Sequence, residues 1–220
     1  MHFVRQAVAA IALLLFALTA SASPADPKDN KDYLTLPEVR QGEAGDKVEV
    51  IEFFSYACPH CNAFEPSISE WVKKQGGRIA FKRVPLAFHP QWVPLQKMYL
   101  SLEALGKVDE FHEKVFAAVH KERMPFSTDD AVIEMAVTLG LDRAQFLAVY
   151  NSFAVQTRQR SVARLQDDYK VTGVPLLAVG GRYETSAGIL DDNGLHLPEP
   201  ELFKASLQVA DFLVNKAGKK

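Results

Sequence analysis

The chain has 220 residues, 48% apolar and 24% charged, with 12 Gly and 12 Pro. That composition excludes a mostly disordered, collagen-like or coiled-coil protein. A net charge of −2, from 25 basic and 27 acidic residues, gives no steering towards nucleic acid, and two cysteines are too few for a multi-bridge scaffold or a four-cysteine zinc site.

At the N-terminus Arg5 precedes an apolar run over residues 7–20, and Ala20-Ser21-Ala22 supplies the small residues that a signal peptidase needs. This pattern predicts a cleaved secretory signal over residues 1–22, and an exported, soluble mature chain. As a helix, the run reaches only ~21 Å, short of the ~30 Å hydrocarbon core that an anchor must cross. Residues 23–31 are polar and read as a mobile lead-in.

Residues 33–36 read as a short edge strand. Residues 47–54 (KVEVIEFF) are rich in β-branched and aromatic types, and predict a buried strand. The helix that follows starts at Pro59, whose missing N–H has no partner to lose there. Phe64, Ile68, Trp71 and Val72 recur along it at helical spacing, Pro66 is expected to kink it, and Gly76-Gly77 end it. Residues 79–84 (IAFKRV) predict a second strand.

From Trp92 to Tyr169 nearly every segment has helical period. Leu95, Met98, Tyr99, Leu102 and Leu105 form one stripe; Phe111, Val115 and Val119 form another. Thr128 is placed to cap one helix and Asp142 the next. Strand character returns at residues 174–179 and 182–185, flanking Gly180-Gly181, a two-residue hairpin signal. A final amphipathic helix follows Pro200. The predicted fold is α/β, with strands opening and closing the chain around an all-helical insertion over residues 89–169.

The chemistry concentrates at Cys58-Pro59-His60-Cys61, a C-x-x-C between a buried strand and a helix, which reads as a redox dithiol. At the helix N-terminus, backbone N–H groups and the helix dipole stabilise a thiolate, so Cys58 is the expected nucleophile and Cys61 the resolving thiol. The dipole supplies at most about 2 kcal/mol, or roughly one and a half pKa units, so local N–H donors and His60 are expected to add to it. Stabilising the thiolate stabilises the reduced form and makes the disulfide more oxidising. Metal binding is not expected, because His89, His112, His120 and His196 show no i,i+3 or i,i+4 pairing to complete a site.

Glu52 lies in the apolar strand before the site. It reads either as a proton acceptor for Cys61 or as a residue on a solvated face. Glu65, one turn after Cys61, reads as solvated. Gly173-Val174-Pro175 opens the late strand, where proline has no N–H to lose. On sequence alone a cis bond there is the less common alternative.

The block Glu52-Phe53-Phe54-Ser55-Tyr56 leading into Cys58-Pro59-His60-Cys61, with Gly173-Val174-Pro175 and the helical insertion, resembles the DsbA family of the thioredoxin superfamily over essentially the whole mature chain. The resemblance implies a thioredoxin-like domain from residues 23–88 and 170–220. It implies a periplasmic dithiol oxidase with no cofactor beyond a Cys58–Cys61 disulfide. Pro175 would be cis, and Val174 would offer backbone hydrogen bonds to substrate. The implied partners are unfolded exported proteins with free thiols and a quinone-linked membrane reductase of the DsbB type, acting on a monomer. Pro66 departs from the best-known members and resembles thioredoxins. Two other readings stay open: an exported disulfide reductase or isomerase, and a non-enzymatic peptide-binding or chaperone module.

Overall fold

A computed structural model describes residues 26–40 and 44–218. The expected signal over 1–22 lies outside the described residues. In chain order the elements are β1 (Leu34–Thr35), β2 (Val48–Phe54), α1 (Pro59–Gln75), β3 (Ile79–Pro85), α2 (Val93–Ala104), α3 (Val108–His120), α4 (Asp129–Thr138), α5 (Arg143–Tyr150), α6 (Phe153–Asp168), β4 (Leu176–Val179), β5 (Tyr183–Thr185), α7 (Ala187–Asp192) and α8 (Glu199–Ala217).

The strands form one mixed sheet in the order β1-β5-β4-β2-β3. β2 pairs parallel with β3 and antiparallel with β4. It is therefore internal and buried on both faces, which is why its sequence is nearly continuous in apolar residues. Alternate residues feed two cores. Val50, Leu177 and Val179 pack with Phe64, Ile68 and Trp71 of α1 and with Leu213 and Val214 of α8. Ile51, Phe53, Leu176 and Ala178 pack with Met98, Phe111, Val115, Phe146 and Val162 of the helical segment. The insertion thus shares a core with one face of the sheet.

The predicted caps form. Thr128 Oγ1 accepts from the Ala131 N–H at 3.2 Å, and Asp142 Oδ1 from the Gln145 N–H at 2.8 Å. Each such cap stabilises by about 1 kcal/mol. α1 runs on through Pro66, which sits on its exposed side.

Several expectations need correction. The late strand begins at Leu176, so Gly173-Val174-Pro175 is a loop before it. The hairpin loop is Gly180 to Arg182, three residues rather than two. Gly180 and Gly181 both have positive φ, and a Cβ at Gly181 would lie 1.9 Å from the Arg40 carbonyl oxygen. The described part of the lead-in is tied down: the Lys28 N–H donates to Asp32, and Thr35 Oγ1 donates to Asp29. The short helix α7 was not foreseen; six residues are too few to establish a period.

Candidate active site

The dithiol sits where β2 hands over to α1. The Cys58 N–H closes a turn onto the Ser55 carbonyl at 3.1 Å, and Cys58 takes the cap position with extended backbone. Pro59 follows in the first turn, which holds no acidic residue to oppose the helix dipole. Cys58 is 7% exposed and Cys61 1%, so only the first sulfur borders solvent. Both are free thiols. The Val174–Pro175 bond is cis, and the Cys58 thiol donates to the Val174 carbonyl at 3.5 Å across the loop. Cys58, Cys61, Pro59, His60, Val174 and Pro175 therefore come together. His60 is exposed, and its Nδ1 is hydrogen-bonded to Glu199 at the start of α8.

The two sulfurs differ sharply in acidity. Cys58 is pushed down to about 6, first by the Cys61 thiol, against the opposing effect of burial. The Cys61 and His60 backbone N–H groups and the His60 charge act in the same direction. The leading contribution of the Cys61 thiol was missed in the sequence, although the i,i+3 spacing carried it. Burial raises Cys61 well above the ordinary thiol range, helped by Cys58 and by the Glu52 charge.

Glu52 does not face solvent. It is 1% exposed and accepts from Arg83 Nε at 2.9 Å. The parallel register of β2 and β3 sets these two residues side by side. Arg83 Nη2 donates to both oxygens of Glu65, at 2.8 and 3.1 Å. Glu65 is thus buried in an ionic cluster, not solvated. Burial pushes Glu52 up to about 7, more than Arg83 brings it down, and the neighbouring Glu65 charge adds to the rise. Burial raises Glu65 too, but hydrogen bonds from His112 and Ser69 and the Arg83 charge outweigh it, so Glu65 falls below its ordinary value. Two carboxyls in one cluster are driven apart in acidity, which leaves Glu52 as the one that titrates near neutral pH.

α3 reaches into this region with two histidines that the sequence reading left unassigned. His112, buried and held neutral by burial, bonds Glu65 through Nε2 at 3.1 Å and the Tyr56 hydroxyl through Nδ1 at 2.8 Å. These partners fit one tautomer, with Nε2–H donating to the carboxylate and Tyr56 O–H donating to Nδ1. His120 Nε2 bonds the Tyr56 carbonyl at 2.8 Å. Tyr56 also packs edge-on against Phe116 and Phe54, with ring centroids at 4.9 and 5.2 Å. The insertion thereby fixes the segment two residues before the nucleophile. His112, Phe116 and His120 recur at i, i+4 and i+8, so a polar stripe beside the apolar one was the available signal. Among the described residues no cluster of three or more His, Cys, Asp or Glu is placed to hold a metal ion.

Comparison with known proteins places this geometry. Residues 49–194 match the model of the DSBA-like thioredoxin domain. The chain is 40% identical over 180 residues to the thiol:disulfide interchange protein DsbA of Burkholderia cepacia, covering 82% of this chain and 80% of that one. It is 36% identical over 187 residues to DsbA of Bordetella pertussis, covering 85% of each. Among solved structures, the crystal structure of Pseudomonas aeruginosa DsbA superposes with a TM-score of 0.78 at 34% identity, covering 90% of this chain and 100% of that one.

Proposed function

The chain belongs to the DSBA-like thioredoxin family, and on that footing we propose that it donates a Cys58–Cys61 disulfide to exported proteins during oxidative folding. The observation that carries the reading is the split in acidity across the dithiol, with Cys58 at about 6 and Cys61 far above it. The redox centre is the pair of sulfurs itself.

A substrate thiolate attacks Cys58 Sγ of the disulfide. The Cys58–Cys61 bond breaks, a mixed disulfide forms, and Cys61 leaves as a thiolate that takes up a proton. A second substrate thiolate then attacks the substrate sulfur of the mixed disulfide. Cys58 departs as a stable thiolate, leaving the substrate oxidised and the protein reduced. Reoxidation runs the other way on a partner disulfide, and Cys61 must then lose its proton before it can release that partner. Glu52 serves as the acid and base for Cys61. Pro59 starts α1 at the first sulfur, His60 adds positive charge beside it, and Pro175 sets Val174 against Cys58. There the Val174 backbone can pair with an extended substrate strand.

The same reading places the protein in the periplasm as a monomer, reoxidised by a DsbB-type quinone-linked membrane protein. It divides the chain into a thioredoxin-like part (residues 23–88 and 170–220) and a helical insertion (residues 89–169). The test is equilibration with glutathione. A potential less negative than about −200 mV is expected, and a value near about −270 mV would make the protein a reductase. An inert disulfide, neither reduced nor re-formed by glutathione, would leave only a binding module.

Glu52→Gln tests the proton acceptor. Reduced protein is mixed with oxidised glutathione, and release of the Cys58 mixed disulfide by Cys61 is timed. At pH 7 release is expected to slow by about 10²-fold or more, the usual reach of a positioned base. The wild-type rate is expected to climb as Glu52 loses its proton through about pH 7, and the variant to lack that limb. Equal release rates at pH 7 would remove Glu52 from the proton path. Stability is expected to change little, because glutamine resembles the protonated carboxyl already half populated there.

A further inference from the structure

His60 and Glu199 are 139 residues apart, yet their contact belongs to a regular seam between two helices. α1 and α8 lie side by side and run the same way. One turn beyond His60 and Glu199, Phe64 packs against Phe203 with ring centroids at 5.0 Å and the rings tilted by 43°. Further along, Trp71 Nε1 donates to Asp211 at 3.0 Å, and Arg78 Nη2 donates to Asn215 at 2.6 Å. The seam fixes the register of α8, so the start of α8 arrives level with the start of α1. Glu199 is the first residue of α8, an end of the helix where the dipole favours an acidic side chain.

We propose that Glu199 is a positioning residue for the dithiol: bonded to His60 Nδ1, it holds the imidazole as a cation beside Cys58 and makes the disulfide a stronger oxidant. This rests on the oxidase reading above and names the group that tunes it. Two groups act on His60: Glu199 from α8 and Cys58 from the cap of its own helix. The Glu199 hydrogen bond is the larger, and together with the Cys58 charge it raises His60 above its ordinary value against the opposing effect of burial. The charge that in turn lowers Cys58 is that of His60. The sign follows directly. A His60 that stays protonated to higher pH stabilises the Cys58 thiolate at neutral pH. That favours the reduced protein, and so favours giving the disulfide away. Both side chains border solvent, which screens the effect to a few-fold.

The experiment compares wild type, Glu199→Gln, Glu199→Asp, His60→Ala and the double variant His60→Ala/Glu199→Gln. It reads the His60 imidazole titration by NMR, the Cys58 thiolate absorbance against pH, and the equilibrium with glutathione. Glu199→Gln is expected to lower the His60 titration point and raise that of Cys58. The equilibrium constant for oxidising glutathione should fall about two- to fivefold, the upper figure being about 20 mV at ~30 mV per tenfold. Glu199→Asp keeps the charge and is expected to lie closer to wild type. In the His60→Ala background, Glu199→Gln is expected to do nothing further, since the path through the imidazole is gone. An unchanged Cys58 in Glu199→Gln, a shift of equal size without His60, or a fall in the Cys58 titration point would each overturn the proposal. A wild-type Cys58 of ordinary acidity would overturn the oxidase reading, and this one with it. An acidic wild-type Cys58 indifferent to Glu199 would overturn the role of Glu199 alone.

Discussion

Cys58→Ser is expected to reduce disulfide transfer to the uncatalysed background, measured as the rate at which a reduced, unfolded test protein gains disulfides. Serine cannot bridge to Cys61, and Cys61 is too buried and too weakly acidic to take its place. Cys61→Ser is expected to behave differently: it keeps the sulfur that borders solvent, and given oxidised glutathione as the disulfide donor it accumulates the Cys58–glutathione mixed disulfide, releasing one reduced glutathione. In Cys61→Ala, which removes the donor, Cys58 is expected to titrate higher than about 6, because the hydrogen bond from the Cys61 thiol is the largest contributor to that acidity. The low value serves departure more than attack. At pH 7 it raises the thiolate fraction from about 3% to about 90%, but nucleophilicity falls with basicity at a Brønsted slope of about 0.4–0.5 and cancels most of that gain. A low-pKa leaving group has no such cancellation. The same acidity makes stability depend on pH. Cys58 is depressed in the folded reduced protein, so its contribution is full above the unfolded thiol value and is lost as pH falls through about 6. The reduced protein is therefore expected to gain stability over the oxidised one between about pH 6 and 8.5, by about 1–2 kcal/mol after solvent screening. Glu52 acts in both redox forms and drops out of that difference. Urea unfolding of both forms across this range checks it, and a flat difference would mean an ordinary Cys58.

What the sequence disclosed was local. Cys58 and Cys61 lie three apart at one helix start, and β2, α1, β3 and the returning strands follow from short-range pattern. What it hid depends on pairing between distant segments. Glu65 flanks the apolar stripe of Phe64, Ile68 and Trp71, and nothing within α1 says that a cation waits opposite it. That cation is Arg83, brought there by the register of β2 with β3. Two acidic residues in β2, Glu49 and Glu52, and two basic ones in β3, Lys82 and Arg83, were the readable hint. His112 and His120 reach Tyr56 across 56 and 64 residues, and Glu199 reaches His60 across 139. For Glu52 the sequence left a buried acceptor and a solvated face both open, and did not show its partner.

Arg83→Met is expected to be strongly damaging, lowering unfolding free energy by about 3–5 kcal/mol at pH 7. Arg83 is the cation shared by Glu52 and Glu65, whose side chains are 1% and 6% exposed. Methionine fills much of its volume but leaves two carboxylates facing each other in a dry cluster. Both would be pushed up in the folded state. Groups raised on folding contribute fully below their unfolded value and lose that contribution as pH rises through the folded one. The penalty is therefore expected to be smaller at pH 5 than at pH 8, and urea midpoints at the two values measure it. Arg83→Lys restores a charge but not the fork that reaches two carboxyls at once, so an intermediate loss is expected. The redox consequence separates this residue from an ordinary stabilising one. With Arg83 gone, Glu52 stays protonated at pH 7 and can no longer take the Cys61 proton. Release of the mixed disulfide is then expected to slow as in Glu52→Gln, but to recover at higher pH, where Glu52→Gln does not. A variant that loses stability with the wild-type release profile would show that Arg83 holds the fold without setting the base. Apolar side chains could fill this cluster at no loss of stability. Stability alone therefore does not require the ion cluster, and the release profile tests whether the carboxyl it sets at about 7 serves Cys61.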